Sequence, residues 1–290
     1  METIRLNKWL SELGVCSRRE ADRLVECKKI TVDGKWAVLG QKVSKNQRIV
    51  CDGKLVWEPK PEPSAEKSEN EGGWAQEREE GCRGNLPKPV WLVVNKPKGI
   101  VCTTSKKDRA KTIVELVQYP FRVYPVGRLD KDSRGLIFMT NQGDLVNQIM
   151  RGGNGHEKEY EVLVNKPVTR EFLKAMASGV ELKELNQTTR PCRIQAVAPC
   201  KFRITLTQGL NRQIRRMCKA LGYQVADLKR IRIMNICLGD LREGSFRKMK
   251  EEEYRRMVEI LKEKGSSSLP ASMRPAEGLT VGSNVKERKP

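Results

Sequence analysis

The residues best placed to do chemistry lie in VYPVGRLDKDSRGLIFMTNQGDL, residues 123–145. Its Gly-Arg-Leu-Asp run falls between one apolar segment and a second, Leu136–Met139, which suits a buried strand. A loop in that position can hold the carboxylate of Asp130 at the rim of a sheet. Arg128, Lys131 and Arg134 surround it with positive charge and would also attract a phosphate. A turn aspartate paired to a neighbouring arginine explains the same residues without any ligand. On charge alone, that second reading is the better one.

Other routes to catalysis are thin. The chain has one histidine, His156, so a histidine-based metal site is nearly excluded and any Ser-His relay would depend on that residue. In GGNGHEKEY it reads as a loop residue rather than a general base. The nine cysteines are odd in number, scattered, and never spaced C-x-x-C, which argues against structural zinc and against a disulfide framework. No G-x-G-x-x-G opens a helix and no Walker motif occurs, so no nucleotide cofactor is expected. The expectation is a reaction that rests on a carboxylate, with no cofactor and no metal.

The charge balance points to the substrate. Lys and Arg number 56 against 36 Asp and Glu, a formal net charge of +20. An excess of this size suits a polyanion, because each phosphate neutralised releases condensed counterions. It does not by itself separate RNA from DNA or from an anionic membrane, and a basic surface also serves solubility. No run of about 18 apolar residues could span a bilayer, and METIRLNKWL lacks the apolar core of a signal peptide. A soluble, cytoplasmic protein with no membrane contact is expected. No coiled-coil heptad is visible, so a monomer is the default.

The elements that must position these residues fall into segments. Residues 1–56 read as an α-then-β unit. Leu6, Trp9, Leu10 and Leu13 line one face of a short helix that Gly14 ends. Ser17 and Glu20 form an S-x-x-E capping box for a second helix, with Ala21, Leu24 and Val25 inward and Arg18, Arg19, Arg23, Lys28 and Lys29 elsewhere. Asp33-Gly34 and Asp52-Gly53 mark hairpin turns between short strands. Residues 57–88, rich in Glu, Pro and Gly and without apolar periodicity, read as a flexible linker, and residues 264–290 as a disordered tail.

Residues 89–263 form the larger domain. Val90–Asn95 suits a buried strand, while KEYEVLV and KFRITLT alternate as half-buried strands do. Helical spacing appears at Leu145, Val146, Ile149 and Met150, at Ile214, Met217, Cys218 and Leu221, and at Tyr254, Met257, Val258 and Leu261. On the second of these helices, Arg212, Arg215, Arg216 and Lys219 share a sector opposite Ile214 and Met217. It is either a solvated face or one turned to phosphates. Hairpin-linked strands with a few helices predict an α+β fold with a mixed, mainly antiparallel sheet.

Two resemblances give these segments a meaning. RLNKWLSELGVCSRREADRLVECKKITVDGK resembles an S4 RNA-binding domain, which implies that Arg18, Arg19 and Lys28 dock on structured RNA through phosphate and shape contacts. GRLDKDSRGLIFMTNQGDL resembles the catalytic motif of pseudouridine synthases of the RsuA type, and NKPKGIVCTT, EKEYEV and GLNRQIRRMCKALGY fit that family in the expected order. Within it, GDLVNQIMRGGNGHEKEY and RIRIMNI resemble the RluF-like branch, which acts on large-subunit rRNA.

The resemblance implies roles residue by residue. Asp130 would be the catalytic carboxylate, Tyr160 the aromatic that stacks on the target base, and Arg215 the basic residue paired with the aspartate. By itself a strand tyrosine is more often a core aromatic. Arg128, Leu129 and Lys131 in the first motif, and Asn211, Arg212, Gln213 and Ile214 in the second, would lie along the bound RNA. The implied reaction is uridine-to-pseudouridine isomerisation in 23S rRNA. Alternatives are a synthase acting on tRNA or small-subunit rRNA, or a ribosome-assembly factor that binds RNA on the same fold without catalysis. A nucleic-acid glycosylase fits the motif set less well.

Overall fold

The computed structural model describes residues 3–59, 88–104, 110–150 and 155–264. The expected linker at 57–88 and tail at 264–290 lie almost wholly outside the described residues.

The first unit packs two helices on small sheets. β1 (Ile4–Arg5) pairs with β4 (Lys42–Val43), and β2 (Ile30–Val32), β3 (Lys35–Trp36), β5 (Ile49–Cys51) and β6 (Lys54–Trp57) form a second sheet in the order β3-β2-β5-β6. Helices α1 (Leu6–Glu12) and α2 (Arg18–Glu26) bury Leu6, Trp9, Leu10, Ala21 and Val25 against it. The two Asp-Gly turns sit at β2–β3 and β5–β6, each with its aspartate at a φ of 50°. The capping box is only half formed. Ser17 Oγ accepts from Glu20 N at 3.1 Å, but the Glu20 carboxylate turns to Arg23. Ser17→Ala should therefore cost about 1 kcal/mol, read as a lowered urea midpoint at unchanged slope.

The second unit is built on a sheet of nine strands among the described residues. Its strands are β7 (Trp91–Lys96), β8 (Tyr124–Val126), β9 (Arg134–Thr140), β10 (Lys158–Val164), β13 (Arg193–Ala198), β14 (Lys201–Leu206), β15 (Val225–Ile233), β16 (Ile236–Cys237) and β17 (Phe246–Lys248). The order is β13-β14-β10-β15-β9-β7-β17, with β8 beside β9 and β16 beside β15. Every pairing is antiparallel except β9 with β15, so the sheet is mixed and mainly antiparallel, as the patterning predicts. A separate two-stranded ribbon joins β11 (Glu181–Leu182) to β12 (Gln187–Thr188).

Burial on both faces explains the unbroken apolar runs. In β7 and β9, Trp91, Val93, Leu136 and Phe138 face α4 (Gly143–Met150) and α7 (Glu251–Lys264), while Leu92, Val94, Ile137 and Met139 face α3 (Ile113–Val117). Strands β10 and β14 alternate instead, turning Val162, Val164, Phe202, Ile204 and Leu206 toward α5 (Arg170–Ser178) and α6 (Gln213–Ala220). Helix α6 carries the expected basic sector, but Arg212 is its N-cap, with a left-handed φ of 49°, and not part of its first turn.

The parallel pairing of β9 with β15 needs a glycine. Gly135 lies opposite Arg230 at a φ of 104°, and a Cβ there would sit 2.3 Å from the Arg230 carbonyl oxygen. Only a residue without a side chain lets the two backbones approach so closely. Polar contacts also join the two units. Lys8 Nζ on α1 bonds Asp144 at 2.8 Å on α4, and Arg122 donates to the Cys16 carbonyl. No helix among the described residues is long and apolar enough to cross a membrane.

Candidate active site

Residues 127–133 connect β8 to β9 and carry Asp130, and several bonds fix this loop. The Ser133 amide donates to the Asp130 carbonyl at 3.1 Å, and the Gly99 amide to the Lys131 carbonyl at 2.8 Å. The Leu129 amide reaches the Cys102 sulfur at 3.4 Å. Beneath the loop Lys96 is fully buried, and its Nζ donates to the carbonyls of Ser133 at 2.6 Å and Pro97 at 2.9 Å. Burial lowers the Lys96 pKa, since desolvation penalises the ammonium. Gly127 has a φ of 76°, and the Met150 side chain occupies the space a Cβ would need. A loop held at this many points presents its aspartate at a fixed place.

The loop borders an open cleft of about 840 Å3. Across it stand the segment before α6, which supplies Asn211 and Arg212, and strands β10 and β15, which supply Lys158, Tyr160 and Arg230. The Asp130 side chain is 31% exposed, and its Oδ2 lies 3.6 Å from Arg212 Nη1. Arg212 is shared: its Nη2 bonds Asp132 Oδ2 at 3.1 Å. That hydrogen bond holds the Asp132 carboxyl below its usual range.

The predicted partner of Asp130 needs correction. Arg215 does not pair with Asp130. Its Nη2 donates to the Asp132 carbonyl at 3.0 Å and to Ser133 Oγ at 3.2 Å, and its Nη1 to the Val225 carbonyl at 3.3 Å. The left-handed N-cap lifts Arg212 over the loop, whereas Arg215, one helical turn on, is tucked between the loop and β15. Arg215 thus props the loop and Arg212 meets the carboxylate.

Tyr160 sits half-buried on β10, opposite Ile204 and Arg230, and lines the cleft. The Arg230 guanidinium lies 6.0 Å from its ring centroid, near the outer limit of a cation–π contact. Arg128 and Lys131 are exposed at the cleft, and Asn211 is exposed on the facing wall. Leu129, Gln213 and Ile214 also line it, but their side chains are buried. Leu129 and Ile214 belong to the core, and Gln213 accepts from the Leu210 amide at 3.1 Å. Arg18, Arg19 and Lys28 are exposed on the first unit and are not among the residues that line the cleft. His156 is 2% exposed and is not among the residues that line the cleft. Among the described residues no cluster of His, Cys, Asp or Glu could hold a metal ion.

Two cleft residues went unnoticed in the sequence. Lys158 and Arg230 are 6% and 3% exposed. Lys158 Nζ donates to the His156 carbonyl at 3.2 Å, and Arg230 Nε to the Leu136 carbonyl at 2.7 Å. Burial, reinforced by Arg230, pushes the Lys158 pKa down to about 8. A lysine so depressed makes the folded state bind fewer protons than the unfolded chain between about pH 8 and 10.5, so its penalty is fully present below pH 8 and is relieved above. Lys158→Met should therefore stabilise the free protein at pH 7, by up to about 3 kcal/mol. The gain should fade as pH rises toward 10, which melts of both proteins across that range would read.

A rigid carboxylate loop, a strand tyrosine and a ring of cations on an α+β sheet define a candidate RNA-modifying site. Comparison with known proteins assigns the class. Residues 90–220 match the RNA pseudouridylate synthase family, and residues 4–49 match the S4 domain. The chain is 43% identical to the dual-specificity RNA pseudouridine synthase RluF of Escherichia coli O6:H1, over 97% of its own length and 86% of that protein's. It is 29% identical to the ribosomal large subunit pseudouridine synthase B of Bacillus subtilis, over 87% of its length and 95% of that protein's. Its fold matches a crystal structure of a pseudouridylate synthase with a TM-score of 0.57 at 24% identity, covering 89% of this chain and 99% of that one. The chain belongs to the RNA pseudouridine synthase family, with an S4 domain in front, and is an isomerase.

Proposed function

We propose that this protein isomerises a specific uridine to pseudouridine in ribosomal RNA, the large-subunit 23S rRNA in particular, with Asp130 as its catalytic carboxylate and no cofactor. The observation that carries the proposal is the placement of Asp130: it is partly exposed, on a loop fixed from below by Lys96, at the edge of a cleft lined by Tyr160. One carboxylate suffices to assist cleavage of the N1–C1′ bond, either by bonding C1′ or by taking a proton from the sugar. The base then turns and C5 bonds C1′, with no redox change. Arg212 balances the charge on Asp130 before the reaction, and Arg215 keeps the loop in position.

The target uridine must first leave its stack, at a cost of about a few kcal/mol, which stacking on Tyr160 would partly offset. Arg128, Lys131 and Asn211 stand where the flanking backbone would pass, while Leu129, Gln213 and Ile214 shape the wall behind it. Arg18, Arg19 and Lys28 supply a second, sequence-independent hold on folded RNA.

The test is pseudouridine mapping of total RNA, by carbodiimide modification and primer extension, in cells with and without the protein. Loss of a signal in 23S rRNA, restored by wild type and not by Asp130→Ala, is the expected result. A lost signal in tRNA or small-subunit rRNA would move the substrate and keep the chemistry. An unchanged map, with RNA still bound, would favour a non-catalytic binding factor.

A further inference from the structure

Lys158 and Arg230 present an imbalance that the roles given so far leave unexplained. Both are nearly buried, both line the cleft, and they stand on neighbouring strands. The described residues give neither an ion pair. Lys158 has the His156 carbonyl, Arg230 has the Leu136 carbonyl, and Arg230 Nη2 is buried with no hydrogen-bond partner. Arg128 and Lys131 stand in solvent, and the more enclosed cations nearby have several partners: Lys96 three carbonyls, Arg212 two carboxylates, and Arg215, apart from a buried Nε without one, two carbonyls, a hydroxyl and the Asp132 carboxylate. Two like charges held together in a dry place are costly unless an anion arrives to pair with them.

The reaction creates such an anion. When N1–C1′ breaks, the bonding pair leaves with the base. C1′ is then either bonded to an Asp130 oxygen, or left as a glycal after Asp130 has taken a sugar proton. In both cases the negative charge moves from Asp130 to the uracil, where N1, O2 and O4 share it. It returns when C5 bonds C1′, the C5 proton departs and N1 gains one.

We propose that Lys158 and Arg230 form the anion site for the detached uracil, receiving the charge that Asp130 and Arg212 hold before cleavage. The cleft would thus contain two cationic stations, one for each position of the charge. Arg230 stands opposite Tyr160 with its guanidinium 6.0 Å from the ring centroid, and Lys158 lies two residues along the same face of the strand, so both cations border the place of a base held at that ring. An ammonium suits the task because the base must turn. A compact charge with three rotatable donors follows N1 and the carbonyl oxygens as they move, where a fixed bidentate fork would hold the base in one orientation. The inference rests on the reading of Asp130 as the catalytic carboxylate.

The test uses the full-length protein, the RNA fragment carrying the mapped uridine, and the variants Lys158→Met, Lys158→Arg and Asp130→Asn. Single-turnover pseudouridine formation is measured beside equilibrium binding of the same RNA at several salt concentrations. Removal of one charge-stabilising donor costs about a hundredfold or more in rate, which is the loss expected for Lys158→Met. RNA affinity should stay within about threefold of wild type and the salt slope should not change. Lys158→Arg should recover part of the rate. Melting temperatures check folding, and Lys158→Met, which removes an unpaired buried charge, should melt no lower than wild type.

A wild-type rate in Lys158→Met overturns the proposal. So does a loss confined to affinity with the salt slope reduced by about one, which would make Lys158 a phosphate contact. If wild type forms no pseudouridine on an RNA it binds, or if Asp130→Asn remains active, the underlying reading of the site fails first. Those results are distinct from the loss of Lys158 function alone.

Discussion

Asp130→Asn is expected to reduce pseudouridine formation by about four orders of magnitude or more, while RNA affinity stays within about threefold of wild type. The separation follows from how the loop is held. Its supporting bonds use the backbone of residues 129–133 and the Ser133 hydroxyl, and none uses the Asp130 carboxylate. Arg212 keeps its bond to Asp132 when Asp130 is neutralised, so the wall of the cleft also survives. An asparagine matches the aspartate in shape, but its amide neither bonds C1′ nor takes a proton. Single-turnover kinetics with gel-shift binding on one RNA check both halves. A variant within tenfold of the wild-type rate would remove Asp130 from the reaction.

Gly135→Ala is the substitution expected to damage the fold most. The new Cβ would lie 2.3 Å from the Arg230 carbonyl and 2.7 Å from its amide nitrogen, and both are backbone atoms that no rotamer change can move aside. At a φ of 104°, alanine is also strained whatever the space. A loss of about 3 kcal/mol or more follows, a melting temperature lower by roughly 6–12 °C in a domain of this size. The rate should fall as well, since the displaced strands carry the Asp130 loop on one side and Arg230 on the other. A variant melting within about 2 °C of wild type would contradict the close approach of β9 and β15.

Much of this architecture was legible where the pattern is local. Alternation in KEYEVLV and KFRITL identifies β10 and β14, the Asp-Gly pairs identify two turns, and the Ile214, Met217 and Cys218 spacing identifies the buried face of α6. The Gly-Arg-Leu-Asp run is equally local, and the loop bearing Asp130 lies between the strands its flanking apolar segments suggest.

The failures arise where the outcome depends on residues far apart. Arg212 and Arg215 look interchangeable on a helix face, and only the left-handed N-cap decides which one meets Asp130. Lys96, Lys158 and Arg230 carry charges that a sequence reading places in water, yet strand pairing across tens of residues buries all three. Lys96 did leave a trace, since it closes the buried strand Trp91–Lys96 at a point where no apolar pattern calls for a cation. His156 failed in the same way: a glycine-rich context suggested exposure, and the packing buries it.

The parallel pairing of β9 with β15 also has a mechanical side. Strands β7, β8, β9 and β17 form one leaf of the sheet, and β10, β13, β14 and β15 the other. Within each leaf the long strands run side by side for most of their length, but the leaves meet at only two register pairs, Lys229 with Arg134 and Arg230 with Gly135. The Asp130 loop is mounted on the first leaf, and Tyr160, Lys158 and the Arg212 segment on the second. The Arg134–Asp227 ion pair spans the join, and Ile233 packs there with Leu136 and Phe138. The gap between carboxylate and base is therefore set across this seam and not within either leaf, so the precision of the site depends on how well so short a pairing is braced.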